Sequence, residues 1–376
     1  MEQIRVLQIT ETLEPAGIET FLLNLYRNTD KSFVQFDFLT LREKKEFYEE
    51  EILKKGGMKY SIKGNSKFVP IKLLQESLGL FCFLRNHHYD IVHFHFTTPL
   101  RALHLLIAYK CGAKVRIYHS HTANVIGKKK WKIFVYNLLK KIISICATDY
   151  FACSSSAAVW MFEKKIWKTN KYEVIKNGIE IEKFAFSSNA RIRIRKELGI
   201  ENKKVLIHVG RFSKEKNHKF LIELFLTLHQ IDSSYRLLLL GDGELHTEIH
   251  NLIIKLGLES VIYMLGIKTN VVDYLSAADA FIMPSLFEGL PVSAIEAQCN
   301  GLPCILSNRI PDEVALTDNV FFCSISDKSN WLQTLQNLNF NSSNRSQASK
   351  EVKKNGYDIV DVSKKLQKFY MKKDYT

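Results

Sequence analysis

Apolar positions along the chain fall into short runs that alternate with longer stretches of helical spacing. The first run, "IRVLQIT" (residues 4–10), is rich in leucine and β-branched residues. A loop containing Gly17 follows, then the helical pattern "IETFLLNLYRN". The runs "FDFLT", "DIVHFHF", "VRIYHSH" and "DYFACSS" come next, each followed by polar loop and helix. Repeated β–α alternation of this kind predicts a parallel sheet with helices on both faces.

The alternation restarts after about residue 186. A charged lead-in, "ARIRIRKELGIENKK", precedes the strand runs "VLIHVGR", "RLLLLGDG", "VIYMLG", "AFIMPS" and "PCILS". Helical segments such as "HKFLIELFLTLHQ" and "LHTEIHNLIIKLG" separate them. The pattern predicts two α/β domains, residues 1–185 and 186–355. The tail, 356–376, has Ile359, Val362, Leu366 and Phe369 at helical spacing and reads as an amphipathic helix. Two doubly wound domains placed face to face leave a cleft, and ligands of such sheets sit beyond the carboxyl ends of the strands.

Composition narrows the class. The chain is 46% hydrophobic and 24% charged, which suits a folded protein with an ample core. No apolar run approaches the roughly 18 residues of a membrane span. "MEQIRVLQIT" has neither the basic start nor the cleavage site of a signal peptide. Seven scattered cysteines without a Cys-x-x-Cys pair argue against a disulfide framework and a structural zinc site, so a reducing cytoplasm is expected. The net charge of +14 calls for an anionic partner: nucleic acid, anionic membrane or a phosphorylated small molecule.

The chemistry concentrates just after strands. In "FEGLPVSAIEAQCNGLP" Glu288 precedes a helix and Glu296 lies more than one turn inside it. They are spaced to reach different parts of one extended ligand. Gly289 permits close backbone approach, Pro291 suits a helix start, and the helix N-terminus suits a phosphate. "GRFSKEKN" places Arg211 and Lys216 after another strand, where a guanidinium and an ammonium can hold phosphate oxygens. "LGDGE" and "YMLGIK" put Gly241, Gly243 and Gly266 at further strand ends. "RIYHSHTAN" places His119 at a strand end, with His121 as its rival, and His93 and His95 alternate so as to point the same way. "GKKKWKIFVYNLLKK" (127–141) carries six lysines and no acid, interleaved with Trp131, Phe134 and Tyr136. That is the pattern of an amphipathic helix at an anionic membrane surface.

"GRFSKEKN", "LLLGDGE", "YMLG", "AADAFIMPSLFEGLPVSAIEAQCNGLP" and "VIKNGI" resemble, in order, the signature segments of the retaining family 4 glycosyltransferases. The resemblance covers most of the chain and is strongest over about 205–310. "HFHFTTP" and "IYHSHTAN" resemble the branch that makes capsular and exopolysaccharide sugars. The resemblance implies the GT-B fold, two Rossmann-like domains facing across a cleft, with the C-terminal helix returning to the N-terminal domain. It implies transfer of a hexose or N-acetylhexosamine from a nucleotide-diphosphate sugar, a UDP-sugar foremost, to a lipid-linked saccharide acceptor. Glu296 would bond the ribose and Glu288 the donor sugar. Arg211 and Lys216 would hold the diphosphate. The backbone from Gly289 through Leu290 and Pro291 to Val292 would assist. Gly266 and Ile267 would lie near the base, and His119 would contact the transferring sugar. Gly17 stands in the family's glycine-rich loop, where Ala16 replaces a second glycine.

No Asp-x-Asp occurs in the chain, so neither a metal nor a cofactor is expected, and Arg211, Lys216 and the helix start would stabilise the leaving group. Closure of the domains would complete the site. The protein is expected in the cytoplasm, peripheral on the inner membrane face through 127–141, with no nucleic-acid partner. The rivals are a non-catalytic partner subunit and a glycoside hydrolase, which needs its two carboxylates to flank one bond. Simpler readings also exist: a salt-bridged Glu pair, glycines serving only a turn, packed histidines and a solvated lysine face.

Overall fold

A computed structural model describes residues 3–14, 17–43, 45–122, 130–340 and 345–372, with only the backbone of Lys130. Ala16 and residues 127–129 of the lysine run lie outside the described residues. The chain divides into two units, residues 1–178 with 359–376, and residues 179–358.

The first unit is built on β1 (Ile4–Thr10), β2 (Val34–Thr40), β3 (Lys59–Ser61), β4 (Ile91–Phe96), β5 (Val115–Ser120), β6 (Asp149–Ala152) and β7 (Glu173–Val174). The sheet order is β3-β2-β1-β4-β5-β6-β7, with parallel pairing throughout. β2 and β4 are buried along their whole length, as strands covered on both faces must be. The order reverses between β1 and β4, which makes their carboxyl ends the topological switch point.

The closing helix, Ile359–Lys372, buries Ile359, Val362, Leu366 and Tyr370 in the core of this first unit, and packs on the helix Gly17–Asn28. Phe369 is partly buried on the same side. Its apolar stripe at positions three, four and seven apart makes that burial possible.

The second unit uses β8 (Lys204–Val209), β9 (Tyr235–Leu240), β10 (Ile262–Gly266), β11 (Ala280–Met283), β12 (Cys304–Ser307) and β13 (Val320–Cys323). Their order is β10-β9-β8-β11-β12-β13, again parallel, with the reversal between β8 and β11. The unit begins before the sequence boundary at 185/186. Ile179 bridges to Asp358, and the short helix Ile181–Phe184 packs on the helices Val292–Cys299 and Arg345–Lys354.

Buried cations lock the far side of this unit. Asp279 takes Arg191 at 2.5 Å, Arg195 at 3.0 Å and the Val205 amide at 2.8 Å. Arg345 donates to the carbonyls of Leu275, Ala278 and Asn300. These arginines are committed to structure, which separates them from Arg211 and Lys216.

Candidate functional site

Two loops meet at the switch point of the second unit. One follows β8 and carries Arg211 and Lys216; the other follows β11 and carries Glu288 and Gly289. Three hydrogen bonds tie them. The Leu286 amide donates to Glu215 O at 2.8 Å, Asn217 Nδ2 to Pro284 O at 3.1 Å, and Ser293 Oγ to Val209 O at 3.2 Å. Asn217 takes φ +58 to make its turn, a conformation asparagine tolerates better than most residues.

The fourth tie is an ion pair. Lys216 Nζ lies 2.6 Å from Glu288 Oε1, with the two side chains 17% and 13% exposed. The sequence assigned these residues to diphosphate and sugar, and the structure brings them into direct contact. Arg211 differs: it is 71% exposed and pairs with Glu244 at 3.0 Å. An exposed pair of that kind is weak and easily exchanged for a ligand. Glu244, in "GDGE", was not singled out by sequence.

The "GDG" glycines have a packing role. A Cβ on Gly241 (φ +137) would meet Gly210 O at 2.0 Å, and one on Gly243 would meet Phe212 O at 2.5 Å. Only glycine lets this turn lie against the loop that holds Arg211. Beneath it, His218 packs on Phe212 with ring centroids 4.5 Å apart, and on His208 at 4.8 Å. Gly266 takes φ +69 at the end of β10, which leaves Ile267 exposed beside the strand end.

Glu296 sits in the second turn of the helix Val292–Cys299, whose N-cap is Pro291. Leu290 and Pro291 are buried below the helix start, while Val292 is half-buried. Glu296 is half-buried too, and among the described residues its carboxylate has no hydrogen-bond or ion-pair partner. Desolvation pushes its pKa up to about 8, against the pull of Lys183 and with a push from Glu180. The two glutamates therefore differ sharply: Glu288 is paired with Lys216, and Glu296 has no such partner among the described residues.

In the first unit Gly17 is the first residue of the helix Gly17–Asn28, with open space where a Cβ would stand. Two residues on, Glu19 is buried beside the β1 end and accepts from Thr12 Oγ1 at 3.0 Å. Burial is the main cause that raises its pKa to about 7. Sequence reasoning missed Glu19, because its apolar neighbours at helical spacing hide it.

The histidines need a correction. His119 lies within β5, not after it, and is fully buried. His121, two residues on, stands past the strand end with 6% exposure. The register pairs His95 with His119 across β4 and β5, so all four rings share one face of the sheet.

The lysine segment continues into the helix Lys130–Cys146, and the structure shows where it faces. Trp131, Phe134, Leu138 and Ile145 are exposed, Phe134 by 74%. On the helix Val69–Asn86 a second stripe of Ile71, Leu74 and Leu78 is exposed as well. The helix Ala102–Lys110 packs against both. Residues 62–146 hold 14 Lys and Arg against Glu76 and Asp90, hence +12 of the chain's +14. Glu76 is buried, beside Arg101 and His104, so it adds no charge to the surface. Among the described residues no helix is long and apolar enough to cross a membrane.

Two parallel sheets, of seven and six strands with helices around them, match the GT-B architecture. Anabaena HepE, solved in complex with UDP and glucose, superposes with a TM-score of 0.79 at 16% identity, covering 99% of this chain and 100% of that one. WaaG, a glycosyltransferase involved in lipopolysaccharide biosynthesis, gives 0.74 at 14% identity, covering 98% and 100%. The description "Glycosyltransferase Family 4" matches residues 15–183, and "Glycosyl transferases group 1" matches residues 190–355. The chain belongs to glycosyltransferase family 4. EpsF of Bacillus subtilis, named as a glycosyltransferase, is 35% identical over 316 residues, 83% of this chain and 81% of that protein. A UDP-Gal:alpha-D-GlcNAc-diphosphoundecaprenol alpha-1,3-galactosyltransferase of Escherichia coli is 30% identical over 63% of this chain and 62% of its own. The capsular polysaccharide biosynthesis glycosyltransferase CapH of Staphylococcus aureus is 26% identical over 98% of this chain and 99% of its own.

Proposed function

We propose that this glycosyltransferase moves a hexose or N-acetylhexosamine, with retention, from a UDP-sugar to a lipid-linked saccharide during assembly of a bacterial surface polysaccharide. The observation that carries the reading is the contrast at the switch point: Lys216-paired Glu288 beside unpartnered, desolvated Glu296. Glu296 accepts the ribose hydroxyls, and Glu288 receives a hydroxyl of the donor sugar. Lys216 and Arg211 spread the charge that develops on the departing diphosphate, aided by the amides from Gly289 to Val292. Gly266 and Ile267 border the base, and Gly17 borders the phosphates. These cations and amides do the work without a divalent ion. His121, rather than His119, is the histidine at the transferring sugar, because it alone of the two stands beyond the strand. The relatives named for diphosphoundecaprenol-linked acceptors support the acceptor class. The cationic, apolar face of the first unit supports a peripheral membrane position.

The test is a donor screen with purified protein and membrane-extracted acceptor, with Glu288→Gln alongside. The expected result is transfer from one UDP-sugar with the anomeric configuration kept, and loss of at least a hundredfold in kcat/KM for the variant. Release of free sugar without acceptor would establish hydrolysis instead. Binding of no nucleotide sugar would establish a non-catalytic subunit.

A further inference from the structure

The four buried histidines of the first unit do more than pack. His93, His95 and His119 each offer a ring nitrogen, and the three nitrogens lie within 4.8 Å of one another. His93 Nδ1 is held by the Tyr370 hydroxyl at 2.8 Å, and His95 Nε2 by Gln8 Oε1 at 2.8 Å. Oxygen partners on the outer nitrogen are what orient metal-bound imidazoles and fix their tautomers. The inner atoms are the ones left over. His93 Nε2 and both nitrogens of His119 are fully buried and have no hydrogen-bond partner among the described residues. His95 Nδ1 shares its hydrogen bond with His121 Nε2 at 2.9 Å.

An unpaired buried polar atom costs folding free energy, so a cluster of them asks for an occupant. Three converging neutral nitrogens, stripped of nearby acids, suit a transition metal and not Mg2+ or Ca2+, which want oxygen. Burial keeps all four rings neutral, which is the form that ligates. Tetrahedral zinc needs nitrogens about 3.4 Å apart at Zn–N of about 2.1 Å. The spacing seen here, within 4.8 Å, is wider, so loading would draw the three rings together.

We infer that His93, His95 and His119 form a zinc-class metal site in the core of the first unit, with Tyr370 and Gln8 as its outer supports. The ion takes the place of the hydrogen bond at His95 Nδ1, and His121 stays outside the ligand set. It is a structural centre, on a different unit from the Lys216–Glu288 pair, and it ties the closing helix to β4 through Tyr370. The diphosphate chemistry proposed above does not pass through it.

The test uses the full chain without an affinity tag, grown with zinc, then stripped by chelator and reloaded. Metal content, competition with a chromophoric zinc chelator and the visible spectrum of the Co2+ form are read, together with thermal unfolding. The expected result is one metal per chain, a tetrahedral Co2+ spectrum and a higher Tm on loading. His119→Leu, which fills the space with an apolar side chain, should fold by circular dichroism yet bind no metal. Cys82→Ser/Cys111→Ser, which removes the thiols not buried, should bind as the parent does. Absence of stoichiometric zinc in the parent overturns the inference. So does binding that survives His119→Leu, or binding lost with the two cysteines.

Discussion

The desolvated state of Glu296 makes donor binding depend on pH in a direction that can be worked out. In the free protein its carboxyl titrates at about 8, through burial, with Lys183 opposing and Glu180 adding to the shift. Cys299, one turn away and itself pushed up to about 12, stays protonated throughout and contributes no charge. Ribose hydroxyls that donate to Glu296 favour the ionised form, so the pKa falls on binding and one proton leaves below pH 8. Affinity therefore rises with pH through that window. For a bound value near the ordinary ~4.3, the gain from pH 6 to pH 8 is roughly fiftyfold; a free value one unit lower leaves roughly tenfold. A UDP-sugar is the right probe, because its diphosphate diester does not itself titrate there. The assay is calorimetry at pH 6, 7 and 8 in two buffers of different ionisation enthalpy, which counts the protons released. Glu296→Gln should bind more weakly at pH 8 and lose the pH dependence. The same variant tests the linkage to folding. The raised carboxyl makes the parent lose stability as pH climbs from the unfolded value to about 8, so the glutamine variant should gain on it across that range. A flat parent profile with no proton release would refute the assignment of Glu296 to a hydroxyl-bearing ligand.

Other consequences are quick to check. Gly241→Ala forces a Cβ onto Gly210 O and strains φ +137, so kcat/KM should fall at least tenfold while circular dichroism is unchanged. Asp279→Ala strands Arg191 and Arg195, and urea unfolding should show a loss of about 3–5 kcal/mol. Flotation with vesicles should show binding to anionic but not neutral lipid, reversed by salt. Trp131→Ala/Phe134→Ala should weaken that binding about tenfold without changing Tm, because both rings are exposed.

The strands were legible because a strand buried on both faces must be apolar almost throughout, and "VLIHV" or "AFIMPS" can hardly be anything else. With the strands in order, loops after β8 and β11 follow as the place to look, and the motif residues fall there. Contacts between distant residues were not legible. Lys216 and Glu288 are 72 residues apart, and their pairing follows only once β11 lies beside β8. The four histidines illustrate the same limit. "HFH" and "HSH" each announce a pair on one face, yet only the register of β4 against β5 stacks the pairs into a cluster. β5 ends at Ser120, which puts His119 inside the strand and His121 past it.

The apolar stripe on the helix Lys130–Cys146 exposes a different blind spot. Trp131, Phe134 and Leu138 have the spacing of a core-facing helix, and spacing alone cannot say whether the partner is protein or lipid. The direction is settled by what the other side buries. Tyr136 and Ile143 face inward and are buried, which leaves the aromatic and leucine stripe turned out beside the exposed Lys141. A helix with two apolar sides has one partner in the fold and lacks the other. Residues 62–146 hold +12 of the chain's +14, so the partner proposed for this surface, an anionic bilayer, matches it in being both apolar and anionic. The proposed acceptor class and the proposed membrane surface thus argue for each other: an enzyme that took its acceptor from a lipid carrier would use a face of this composition, and an exposed apolar face without a partner is a liability.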